Sequence, residues 1–118
     1  MQQQTERRRR RSQEAQQALF LQLERVRDQA RLDALVLASE EGLCIAHSGE
    51  EEFCTELAAL APFIPQASAA QALLRVRATD FAGRRMYLVC YGREPPTEVA
   101  SWLEHAWSGV TRILSFAA

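Results

Sequence analysis

The stretch that decides the fold is Leu35-Val36-Leu37-Ala38-Ser39-Glu40-Glu41-Gly42-Leu43-Cys44-Ile45-Ala46. Two short apolar runs, residues 32–38 and 43–47, flank a polar tetrapeptide whose glycine supplies the positive φ that closes a tight turn. The pattern predicts a β-hairpin. Ala34 to Leu37 and Leu43 to Ala46 are apolar at every position, so both faces of each strand avoid water. Such a sheet requires helices on both sides.

Upstream, Ala15, Leu19, Leu23, Val26 and Ala30 recur at spacings of three and four and predict a first helix, with Ser12 as its cap. Phe20 and Leu21 fall off this stripe, Leu21 almost opposite it, and call for a second surface to cover them. Residues 1–11 contain no apolar residue after Met1 and read as a disordered Arg-rich tail, leaving residues 12–118 as the domain. Downstream, Glu50, Glu51 and Glu52 place negative charge at the start of a second helix, and Phe53, Leu57, Leu60 and Ile64 form its large apolar face. The neighbouring strip Cys54, Ala58 and Ala61 is small and admits another backbone closely. Pro62 breaks or bends this helix, and Pro65 ends it.

Residues 72–79 and 85–91 read as two more strands around Asp80-Phe81-Ala82-Gly83. The first alternates Leu74, Val76 and Ala78 inward with Arg75, Arg77 and Thr79 outward, as an edge strand does, whereas Met86 to Tyr91 is apolar on both faces and therefore central. Pro95-Pro96-Thr97-Glu98 opens a last helix. Its apolar arc holds Val99, Trp102, Leu103, Ala106, Trp107, Val110, Ile113 and Leu114, and Ser101, Glu104, His105, Ser108 and Arg112 take the opposite side.

A chain of 118 residues, 47% hydrophobic, is the size of one domain with one core. The longest apolar run, residues 57–64, is far shorter than the ~20 residues of a membrane span. No signal-type segment opens the chain, which gives a cytoplasmic expectation. Cys44, Cys54 and Cys90 form no closely spaced pair and read as buried thiols of a reducing compartment, outside any disulfide framework. All fourteen basic residues are arginine, a bias that reads as the codon usage of a GC-rich bacterial genome. Five of them are Arg7, Arg8, Arg9, Arg10 and Arg11, which form a candidate tail for an anionic partner; residues 12–118 hold nine arginines against fourteen acids. The acidic domain and the lack of interleaved aromatics argue against specific nucleic-acid recognition.

Catalytic, metal and cofactor sites are not expected. His47 and His105 lack a partner at metal-motif spacing, and the isolated glycines form no phosphate loop. Cys44, Cys54 and Cys90 are embedded in apolar sequence, so a thiol enzyme is a minor alternative. Trp102 and Trp107 are core residues by default; lining a ligand cavity between sheet and last helix is their alternative role.

The order helix, hairpin, helix, strands, helix resembles the Roadblock/dynein light chain family. The closest motif is the quoted hairpin, followed by the alanine-rich Glu56-Leu57-Ala58-Ala59-Leu60-Ala61, and the resemblance covers about residues 13–116. It implies a profilin-like α/β (α+β) sandwich, ordered α-β-β-α-β-β(-β)-α: one antiparallel sheet with the second helix on one face and the first and last on the other. The family usually has three strands between its second and third helices, whereas residues 71–91 supply two. The resemblance further implies a non-catalytic homodimer without cofactor, joined through the second helix and an adjacent edge strand. It also implies docking on a small Ras-like GTPase, which bacterial members regulate in polarity or motility. The dimer or partner surface expected from these readings comprises Leu21, Cys54, Ala58, Ala61, Arg75 and Arg77. No arginine finger is nominated; Arg93 and the Arg84-Arg85 pair are candidates only because arginine can stabilise phosphoryl charge. The other two readings are a small-ligand sensor of similar shape and electrostatic anchoring through the arginine tail.

Overall fold

The computed structural model describes the backbone of residues 2–63, 74–92 and 96–117, and the side-chain surroundings of residues 5–63, 74–92 and 101–115. The elements are α1 (Gln2–Ala30), β1 (Leu32–Ser39), β2 (Cys44–Ser48), α2 (Glu51–Leu60), β3 (Leu74–Phe81), β4 (Arg84–Gly92) and α3 (Pro96–Ala117). One antiparallel sheet runs in the order β2-β1-β4-β3. The predicted hairpin closes as expected: the Gly42 amide donates to the Ser39 carbonyl at 3.0 Å, and the Leu43 amide to Ser39 Oγ at 3.1 Å. Gly42 has a φ of 85°, in the left-handed region. Its Cα hydrogens face the Ala58 and Ala59 backbone, which seats the turn against the end of α2.

The period-two alternation sorts the sheet into two cores. Leu35, Leu37, Met86, Leu88 and Cys90 pack with Leu19, Leu23, Val26, Leu103, Ala106 and Val110 between the sheet and α1/α3. Ala34, Val36, Ala38, Val76 and Val89 pack with Cys54, Leu57, Ala58 and Ala61 beneath α2. Helices therefore cover both faces. β4 is central, and β3 is an edge strand paired with β4 alone.

Element boundaries differ from the sequence expectation at several points, by one or two residues in the strands and by ten at the first helix. The first helix begins at Gln2, not Ser12, and carries the arginine run on its exposed first turns. Gln, Glu and Arg are all good helix formers, and no Gly or Pro interrupts them, so the helix continues past its last core contact. β3 and β4 extend to Phe81 and from Arg84. Ala72, Ile64, Pro65 and Pro95 lie outside the described residues, as do the side chain of Val99 and Arg93. Pro62 acts as anticipated: α2 ends at Leu60, and the chain tightens into a 3-10 turn over Ala61–Phe63.

Gly49 carries the tightest constraint on the route from β2 to α2. Its φ is 131°, and a Cβ there would lie 3.0 Å from the Asp33 carbonyl oxygen and 3.2 Å from Ala34 Cα. Both neighbours belong to the central sheet and cannot swing aside. Gly49→Ala is expected to lower stability by about 1–3 kcal/mol, read as a reduced thermal midpoint with unchanged circular-dichroism shape. An unaltered midpoint would show that the backbone relaxes there freely.

Candidate interaction surfaces

α2 sits over β1 and β2, away from β3. Its small strip decides how close it comes: Cys54, Ala58 and Ala61 are each 0% exposed. The backbone they approach is the chain's own sheet, at Ala34, Val36 and Ala38. This corrects their assignment to a dimer or partner surface, because three side chains with no exposed area cannot meet a second molecule. Spacing alone locates a small-residue strip but not what lies opposite it.

The outward side of α2 has a different character. Leu60 is 51% exposed and Phe63, in the following turn, 82%. Beside α2, on the β3–β4 half of the same sheet face, Leu74, Ala78, Tyr87 and Tyr91 are half-buried. Phe53 stacks edge-on against Tyr91 with ring centroids 5.1 Å apart. Together they form an apolar surface from α2 to the β3 edge. The apolar patterns place Phe53 and Leu60 on the large apolar face of the helix and Tyr87 in a strand buried on both faces, and give Phe63 no role of its own; a large apolar residue directly after the Pro62 break is the signal for it.

The two sheet edges are unequal. On the β2 edge, Gln16 of α1 donates from Nε2 to the Ile45 carbonyl at 2.7 Å. Edge carbonyls capped in this way are less available for strand pairing. No such cap is seen on β3 among the described residues. Arg75 and Arg77 do lie on this edge strand, but their side chains point to the other face. In register, Arg75 pairs with Cys90 and Arg77 with Leu88, both in the α1/α3 core, and Arg77 binds Glu104 of α3. Their expected outward orientation is therefore corrected: α3 crosses that face and presents a carboxylate to it. Arg75 Nε and Nη2 are buried without a hydrogen-bond partner among the described residues.

Leu21 is 52% exposed and its neighbour Phe20 44%, on α1, across the sheet from α2. The structure thus keeps Leu21 apart from the α2 surface. Phe20 lines an open groove of about 690 Å³ between α1, β2 and α2, with Gln16, Gln17, Cys44, His47 and Thr55. A second groove of about 240 Å³ lies between the hairpin tips, at Glu40, Glu41, Phe81, Arg84, Arg85 and Leu114. Neither is lined by Trp102 or Trp107, which pack on the α1/α3 core. Arg85 pairs with Asp80 at 3.6 Å.

The chain matches solved structures over most of its length. Myxococcus xanthus MglB superposes with a TM-score of 0.62 at 16% identity, covering 86% of this chain and 91% of that one. The fold is that of MglB. A structure described as MglB with a tetrameric arrangement gives a TM-score of 0.64 at 15% identity, over 88% of this chain and 93% of the other. The gliding protein MglB of Thermus thermophilus gives 0.61 at 15% identity, over 84% and 90%. The Roadblock-type architecture anticipated from the hairpin and the alanine-rich helix is thereby shown, with four strands among the described residues. No protein-family model and no curated protein matches the sequence.

The chemistry of the thiols is that of packing groups. Burial raises the Cys90 thiol to about 12, against the opposing pull of Arg75. Burial also raises Cys54 to about 11, with Cys44 adding to it, and pushes Cys44 up, assisted by Glu51. Cys44 Sγ lies 3.7 Å from His47 Nδ1, yet a raised thiol is a poor nucleophile at neutral pH. Among the described residues no three His, Cys, Asp or Glu side chains cluster to hold a metal, and no helix is long and apolar enough to cross a membrane. Because these thiols ionise later in the folded than in the unfolded chain, their stabilising contribution is complete below the unfolded thiol value near pH 9. It is lost as pH rises through 11–12. Denaturant titrations are expected to show stability falling above about pH 9, with a shallower fall in Cys90→Ala; identical alkaline limbs would contradict the assignment.

Proposed function

We propose that this chain is a non-catalytic homodimeric regulator or scaffold of the Roadblock type that acts in the cytoplasm and binds a small Ras-like GTPase. The observation that carries this reading is the MglB fold, matched over 84–88% of the chain. The apolar surface running from α2 to the β3 edge, which no side chain caps among the described residues, supports the dimer. Two copies related by a two-fold axis would pair α2 with α2 and β3 with β3, covering Leu60, Phe63 and Tyr87. One of the MglB structures is itself described as a tetrameric arrangement. Regulation without catalysis fits the raised thiols and Arg85's pairing with Asp80, and the GTPase would supply its own nucleotide chemistry.

Light scattering on the eluting protein is expected to give twice the chain mass of 13.3 kDa. Leu60→Glu and Phe63→Glu should weaken association about 30-fold or more without loss of helicity, the effect of charging a central apolar contact. A monomer at micromolar concentration, or charged variants that remain dimeric, would refute the α2 interface. Affinity capture from the native cytosol should recover a Ras-like GTPase that binds the wild-type chain directly; a dimer that captures none would leave the fold without this function.

A further inference from the structure

The arginine run acquires a geometry in the structure that its sequence did not suggest. α1 spans 29 residues, yet its first buried residue is Ala15, and residues 5–14 are all exposed. At 1.5 Å per residue, Arg7 stands about 12 Å beyond that last core contact. The molecule is accordingly elongated, with principal extents of 53 × 26 × 25 Å. Five consecutive residues on a helix advance by about 100° each, so Arg7 to Arg11 encircle it and leave no gap wider than about 100°. The cationic segment is a rod with charge on every side.

We propose that the projecting first turns of α1 are a sequence-independent binding site for double-stranded DNA, seated in the major groove. A helix embedded in the membrane interface needs one apolar face turned to the acyl chains, and residues 2–14 hold no apolar side chain, so a lipid surface would be met by charge alone and only from the side of the rod that faces it. A flat acidic protein surface would engage one or two arginines and leave the rest facing water. The major groove instead places phosphates along both walls, and its width of about 12 Å matches a helix of about 10–12 Å with its side chains. Residues 12–118, with nine arginines against fourteen acids, are repelled by the duplex, which confines contact to the protruding segment. The five cations also repel one another and oppose the helix dipole at this end, and phosphates relieve both penalties. Arginine-only contacts to phosphate position the helix without reading bases.

Fluorescence anisotropy of the full chain with a labelled mixed-sequence duplex of roughly 20 base pairs tests the site. Binding should be similar for unrelated sequences and weaken between about 50 and 200 mM salt with a log–log slope of about −3 to −5, as for four or five phosphate contacts. Replacing Arg7 to Arg11 with Gln should abolish binding without lowering the thermal midpoint, since these side chains touch no core and their mutual repulsion is removed. Arg9→Pro should weaken binding about tenfold more than Arg9→Gln, because both remove one charge but only proline breaks the rod. Equal losses in those two variants, binding that survives the Gln replacement, or no binding at the lower salt would overturn the proposal. Equal or tighter binding to phosphatidylserine vesicles would overturn it in favour of a membrane surface.

Discussion

The structure depends on β1 and β4 being buried on both faces. Leu35, Leu37 and Leu88 on one side, and Val36 and Val89 on the other, have no exposed area. A strand pair of this kind has no stable state with one face in water; at about 25 cal/mol per Å², each exposed large side chain would cost about 1.5–3 kcal/mol. The requirement places α1 and α3 on one face and α2 on the other, and it leaves β2 and β3 as edges.

The two layers are built differently because their helices differ in size and number. Two long helices need a broad core of leucine, valine and methionine with tryptophan at its margin, whereas one ten-residue helix reaches its sheet through small residues. Cys54, Ala58 and Ala61 bring α2 close to Ala34, Val36 and Ala38, and Gly42 and Gly49 admit the backbone at either end of β2. A short helix so placed cannot cover the whole face. The part that α2 leaves, around the half-buried Leu74, Ala78 and Tyr87, becomes the surface on which association is proposed.

The strip illustrates how site and core are confused in one dimension. Small residues at helical spacing signal close approach, and close approach serves an internal sheet or a partner equally well. Arg75 and Arg77 pose the same difficulty: alternation told that they share a face, but only α3, with Glu104 over that face, settled where the face looks. Leu21, exposed as its off-stripe position suggested, lies across the sheet from the strip with which it was grouped.

Periodicity by itself determined the hairpin at Ser39 to Gly42, the central and edge character of β4 and β3, the apolar arc of α3 and the end of α2 at Pro62, because each is a local consequence of side-chain polarity and backbone freedom. Tertiary structure alone decided what lies opposite the small strip of α2 and which way the Arg75 and Arg77 face of β3 looks. It also turned the arginine run from a tail into a projecting rod, since a helix formed around Leu19 and Leu23 extends through any adjoining residues that favour it. Those outcomes depend on contacts between distant segments, which no spacing within one segment encodes.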